Sequence, residues 1–100
     1  MNTFKDETKV LCHEKGWDKA NINTVWLLFT EEIGELASAI RHRQKHFRKN
    51  TKRSSDIVYE MGDVFSYLFQ LAYMLDIDLD EMWNVHKEKV SQKQYTHWGL

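Results

Sequence analysis

Two short stretches carry carboxylates at helical spacing, EEIGE at 31–35 and EMGD at 60–63. Residues three or four apart share one face of a helix. Glu32 and Glu35 therefore pair, with Glu31 four before Glu35, and Glu60 and Asp63 form a matching pair. Four carboxylates brought together without partners repel one another and are expensive to desolvate. Oxygen-only donors of this kind suit Mg²⁺ or Mn²⁺, hard cations that prefer carboxylates and keep several waters. The expected chemistry is that of a divalent metal centre. A solvated acidic face is the ordinary explanation of either pair alone, and two pairs in register weigh against it.

Gly34 and Gly62 hold equivalent places in the two stretches. A mid-helix glycine costs roughly 0.5–1 kcal/mol against alanine. Two such losses predict that backbones, or a backbone and a ligand, approach closely there. A diiron-carboxylate bundle would need Glu-x-x-His pairs, but Ser38 and Asp63 stand where the histidines would be. The sequence holds no Gly-rich phosphate loop and no serine nucleophile motif.

The elements that position these residues read as helices. Proline is absent and the four glycines are scattered, so long periodic segments run without breakers. A first helix is predicted over about 4–15, ending at Gly16, with Asn21 or Asn23 capping the next. The second, about 24–47, carries Trp26, Phe29, Ile33, Leu36 and Ile40 as an apolar stripe. A polar loop follows, and Ser55 or Asp56 is expected to cap a third helix over about 56–75. Its stripe is Ile57, Met61, Val64, Leu68, Leu71 and Leu75. A fourth helix, about 79–95, buries Leu79, Met82, Trp83 and Val90. Both middle stripes step three and four residues, as near-antiparallel helix pairs do. The fold class is all-α: a four-helix bundle with a central antiparallel pair, and the acidic pairs beside its seam.

With those residues assembled, the chain resembles the MazG-like all-α nucleoside triphosphate pyrophosphohydrolases, which include the dCTP and dUTP pyrophosphatase relatives. The resemblance rests on E-x-x-E, a gap of 24 residues, then E-x-x-D. It extends from "HEKGWDKANINTVWLLFT" to "IDLDEMWNVHKEK" and covers about 13–95. It implies hydrolysis of a (deoxy)nucleoside triphosphate to the monophosphate and pyrophosphate, in nucleotide-pool house-cleaning. It also implies that Glu32, Glu35, Glu60 and Asp63 hold Mg²⁺. Trp17 stands where similar enzymes place a ring against the base. Lys87 and Tyr95 fit the spacing of a phosphate-contacting pattern, with Ser91 and Gln94 in place of its Asn and Arg and Lys89 or Lys93 as substitute cations. Members of the family are dimers or tetramers.

A triphosphate carries about four negative charges, so a site of four carboxylates binds it only with cations present, and a bound metal acidifies water for attack. Glu31 or Glu32 is the expected acceptor of the water's proton, as the catalytic base.

Bulk properties agree. One hundred residues without an evident linker predict a single domain over 1–100. So short a chain buries only about 60–65% of its unfolded surface, and four Trp, five Phe and four Tyr exceed what its core hides. Self-association as a homodimer or homotetramer is expected. A lone cysteine, Cys12, fits a reducing compartment. No apolar run approaches the ~20 residues of a membrane span, and the expected location is the cytoplasm. The net charge of −1 favours no nucleic-acid partner. The stretch 41–53 nonetheless holds seven Lys/Arg and no acid. It reads as a helix C-terminus favoured by the macrodipole and a solvated loop, with Arg41 or Arg43 also available to substrate phosphates. The alternative function is a non-catalytic helical module that binds nucleic acid or a protein through 41–53.

Overall fold

A computed structural model describes residues 1–46 and 51–92, with side chains over 1–42 and 57–92. Four α-helices account for nearly all of it: α1 (Asn2–Lys15), α2 (Ile22–His46), α3 (Thr51–Met74) and α4 (Leu79–Gln92), with a 3-10 turn at Trp17–Lys19. No strand occurs among the described residues. The all-α expectation holds.

Local chemistry explains the boundaries. Gly16 closes α1 in the left-handed conformation at φ 76°, which glycine adopts without a Cβ clash. Of the two candidate caps for α2, Asn21 serves: its Oδ1 accepts the Thr24 amide at 2.9 Å. At the end of α3 Asp76 takes φ 56°. The amide of Asp76 donates to the Tyr73 carbonyl at 3.2 Å and that of Ile77 to the Ala72 carbonyl at 2.9 Å, a Schellman closure. Asp78 then caps α4, accepting the amides of Asp80 and Glu81 at 3.1 and 3.0 Å. One boundary departs from expectation. α3 begins at Thr51, so Ser55 and Asp56 lie inside the helix rather than capping it. Residue 47 of the expected second helix and 48–50 of the expected polar loop lie outside the described residues, as do 93–95 of the expected fourth helix.

α2 and α3 share the largest interface and run antiparallel. Val25 and Leu28 line the same cleft as Tyr67 and Gln70, while Glu32 meets Glu60. α1 packs on α3, with the Phe4 and Phe69 rings 6.0 Å apart and Cys12 and Thr8 buried. α4 leans on α1, tied by the Leu79 amide donating to Asn2 Oδ1 at 2.8 Å.

The seam is not where the apolar stripes predict it. Its α2 side follows Val25, Phe29, Glu32, Leu36 and Ala39, and its α3 side Ile57, Glu60, Val64, Tyr67, Leu71 and Met74. Both helices are turned by about one residue. Trp26, Ile33 and Ile40, with Met61, Leu68 and Leu75, are thereby left exposed as a second row. Met82 and Trp83, expected to be buried, are exposed too; of that group Leu79 is buried and Val90 half-buried. The physical reason is that α4 contacts α1 more than the central pair. The radius of gyration is 16.3 Å, against about 13 Å for a compact chain of this length.

Candidate active site

Because the helices are turned, Glu32 and Glu60 lie in the α2–α3 seam itself rather than beside it, both half-buried. Oxygens of Glu32, Glu60 and Asp63 come within 4.8 Å of one another. One oxygen of Glu32 and one of Glu60 are buried with no hydrogen-bond partner. Orphaned buried carboxylate oxygens are rare and costly. The consequence is visible in proton affinity. The Glu32 carboxyl is pushed up to about 7, first by burial, then by the Glu35 carboxyl, then by the charges of Asp63 and Glu60. Glu60 is raised by burial and then by Glu35 and Asp63. Glu35 is thus the fourth member, exposed at the cluster's edge. An all-oxygen set with orphaned lone pairs and mutual repulsion fits a hard divalent cation.

The glycines do not serve the close approach expected of them within the chain. Beyond its chain neighbours and the local helix backbone, a Cβ at Gly34 or Gly62 meets no atom within 4 Å. The turned seam explains this, since both residues lie on the exposed surface rather than between the helices.

Next to the carboxylates opens a cleft of about 400 Å³, lined by Trp17, Val25, Leu28, Asp63, Tyr67 and Gln70 among others. Asp63 belongs to both cluster and cleft. Trp17 is held at the cleft mouth by its turn, which a 2.8 Å contact between His13 Nδ1 and Asp18 Oδ2 fastens to α1. Burial raises the Tyr67 phenol, and the nearby charges of Glu32, Asp63 and Glu31 raise it further.

Of the residues singled out from sequence, Glu32, Glu35, Glu60 and Asp63 come together, and Trp17 lines the adjoining cleft. Glu31 is exposed on α2, close enough for its charge to reach Tyr67. Arg41 and Lys87 are exposed on α2 and α4 and are absent from the cleft's described lining. Tyr95 lies outside the described residues. Sequence reasoning missed Ser66, Tyr67 and Gln70. Their signal was the helical step of three, four and seven from Asp63.

Comparison with known proteins decides the kinship. The family model described as MazG nucleotide pyrophosphohydrolase domain matches residues 20–98. The chain belongs to the MazG nucleotide pyrophosphohydrolase domain family. Two relatives come from Bacillus subtilis (strain 168). YvdC is 31% identical over 98 residues, covering 89% of this chain and 90% of that protein. YpjD is 36% identical over 70 residues, covering 69% of this chain and 63% of its own length. Both are uncharacterised proteins, so the likeness carries kinship and no substrate. No solved structure matches the chain significantly. In this MazG domain both acidic pairs fall within the matched span, Trp17 just before it.

Proposed function

We propose that this MazG domain, a single unit over 1–100, hydrolyses a (deoxy)nucleoside triphosphate to the monophosphate and pyrophosphate. The observation that carries the reading is the double membership of Asp63, which joins the carboxylate cluster and lines a cleft walled by rings. Phosphates and base then lie at adjacent positions along one groove.

Glu32, Glu35, Glu60 and Asp63 would hold Mg²⁺, or Mn²⁺ in its place. When bound, the metal supplies charge neutralisation, a polarised α-phosphorus and an acidified water. The remaining work belongs to the chain. Trp17 and Tyr67 offer flat faces to the base, and Val25 and Leu28 keep water from that end of the cleft. Glu31 or Glu32 takes the proton of the attacking water on a carboxylate oxygen. Lys87, Tyr95 and Arg41 contact the phosphates; Lys87 and Arg41, absent from the cleft's described lining, would do so across a boundary, from a second subunit. Such a boundary is supported by the exposed row of Trp26, Ile33, Ile40, Met61 and Leu68, whose heptad-like spacing matches a helix-packing surface. A homodimer or homotetramer covers it.

Family kinship in nucleotide hydrolysis fits cytoplasmic house-cleaning of the nucleotide pool. No described helix is long and apolar enough to cross a membrane. The test is a panel of ribo- and deoxyribonucleoside triphosphates with Mg²⁺, read as pyrophosphate against single phosphate. Pyrophosphate release that Glu60→Gln abolishes, with helicity unchanged, supports the reading. Salt-sensitive nucleic-acid binding with no pyrophosphate from any nucleotide favours the non-catalytic module acting through 41–53.

A further inference from the structure

The far wall of the cleft is built by α3 alone. Asp63, Ser66, Tyr67 and Gln70 all line it, and their spacing stacks them along one helix face. Seven residues of helix rise about 10 Å. A ligand whose phosphates sit at Asp63 therefore reaches Gln70 with its base, one sugar further along the groove.

Gln70 is an unusual residue to find there. It is 5% exposed, in a helix segment whose other buried residues are the apolar Leu71 and Ala72. Its Nε2 donates to the Trp17 carbonyl at 3.4 Å. A carbonyl only accepts, so the amide nitrogen must face Trp17 and the amide cannot flip without losing that partner. The tether leaves Oε1 as the side chain's open acceptor beside the cleft. Ser66, one turn nearer Asp63, adds a hydroxyl that rotates to donate or accept. Trp17 and Tyr67 supply ring faces on the same cavity.

We propose that Gln70 is a specificity-determining residue that selects a nucleotide whose base bears its exocyclic amine at pyrimidine C4 or purine C6, as cytosine and adenine do and uracil and guanine do not. Oε1 accepts from the amine, and the Ser66 hydroxyl donates to the neighbouring ring nitrogen. A base with a keto oxygen at that position turns it toward Oε1, so two acceptors oppose each other and the oxygen of a nearly buried amide goes unpaired. This inference rests on the nucleotide reading above and names the substrate class within it.

The experiment has two arms. In the first, kcat/KM is measured with Mg²⁺ for CTP, ATP, UTP and GTP and their deoxy forms, on the wild type and on Gln70→Leu. The expected result is a preference of about tenfold to a hundredfold for the amino bases, carried by KM and falling towards unity in Gln70→Leu. No amino preference in the wild type, or an unchanged one in Gln70→Leu, overturns the proposal. In the second arm, binding of CMP, AMP, UMP and GMP is followed by calorimetry, which needs no turnover. Amino-base preference in binding, lost in Gln70→Leu while no triphosphate is hydrolysed, sustains the selector and overturns the hydrolase. Pyrophosphate release without base preference does the reverse. Should Gln70→Leu lose its helical signal, Ser66→Ala takes its place: a reduced amino-base ratio supports the pairing, and a wild-type ratio refutes it.

Discussion

Glu32 on α2 and Glu60 on α3 meet across the central seam, each with one carboxylate oxygen buried and without a hydrogen-bond partner. Two acidic groups placed where leucines would ordinarily pack make the middle of the bundle its least comfortable part. Stability there is given up for a site that a cation can complete.

Magnesium should therefore stabilise the fold. A ligand that binds only the folded state adds about 2.7 kcal/mol at a hundred times its Kd. A clear rise in melting temperature is expected on titrating MgCl₂ into metal-free protein. Glu60→Gln and Asp63→Asn should each blunt that rise. They should also lower kcat/KM by more than the roughly 10–100-fold lost with an outer-shell partner.

The metal-free protein should become less stable as pH rises. The folded-state Glu32 carboxyl, at about 7, lies above its ordinary value of 4.5. Between those values the folded state binds more protons than the unfolded one, so unfolding free energy falls with pH. The stabilisation is fully present below about 4.5 and is lost as pH passes through about 7. Denaturant melts in chelator between pH 5 and 8 will show this slope. Glu32→Gln should flatten it and leave metal-free protein more stable at pH 8 than the wild type. A slope of opposite sign would refute the assignment to Glu32.

Gly34→Ala should stabilise the isolated chain. Beyond its chain neighbours and the local helix backbone, no atom lies within 4 Å of the added methyl, and relief of the glycine penalty is worth about 0.5–1 kcal/mol. Chemical denaturation measures it directly. Loss of stability would show that a second subunit reaches this surface.

Trp17→Leu should raise KM with little change in kcat. Base–aromatic stacking contributes about 1–3 kcal/mol, or roughly tenfold in KM, while the carboxylates are untouched. Nucleotide binding should quench tryptophan fluorescence in the wild type and do so less in the variant.

Ile40→Glu should shift the protein to smaller assemblies in sedimentation. Ile40 is exposed at the end of the outer row and lies away from the cleft.

Local information was enough for much of this. Gly16 as a helix stop, Asn21 or Asn23 as a cap, four helices and the pairing of Glu32 with Glu35 and of Glu60 with Asp63 all follow from residue type and spacing, because capping and helical periodicity act within a few residues. The rotation of α2 and α3 was not legible in that way. α2 carries two neighbouring stripes, one through Trp26, Ile33 and Ile40 and one through Val25, Glu32 and Ala39, and α3 likewise one through Met61, Leu68 and Leu75 and one through Glu60, Tyr67 and Met74. By hydropathy the first is the better core. Which stripe faces the partner helix is decided by packing between residues some 30 apart in the chain. That choice alone carries Glu32 and Glu60 into the seam, turns the larger apolar row outward, and sets Gln70 against the carbonyl of Trp17.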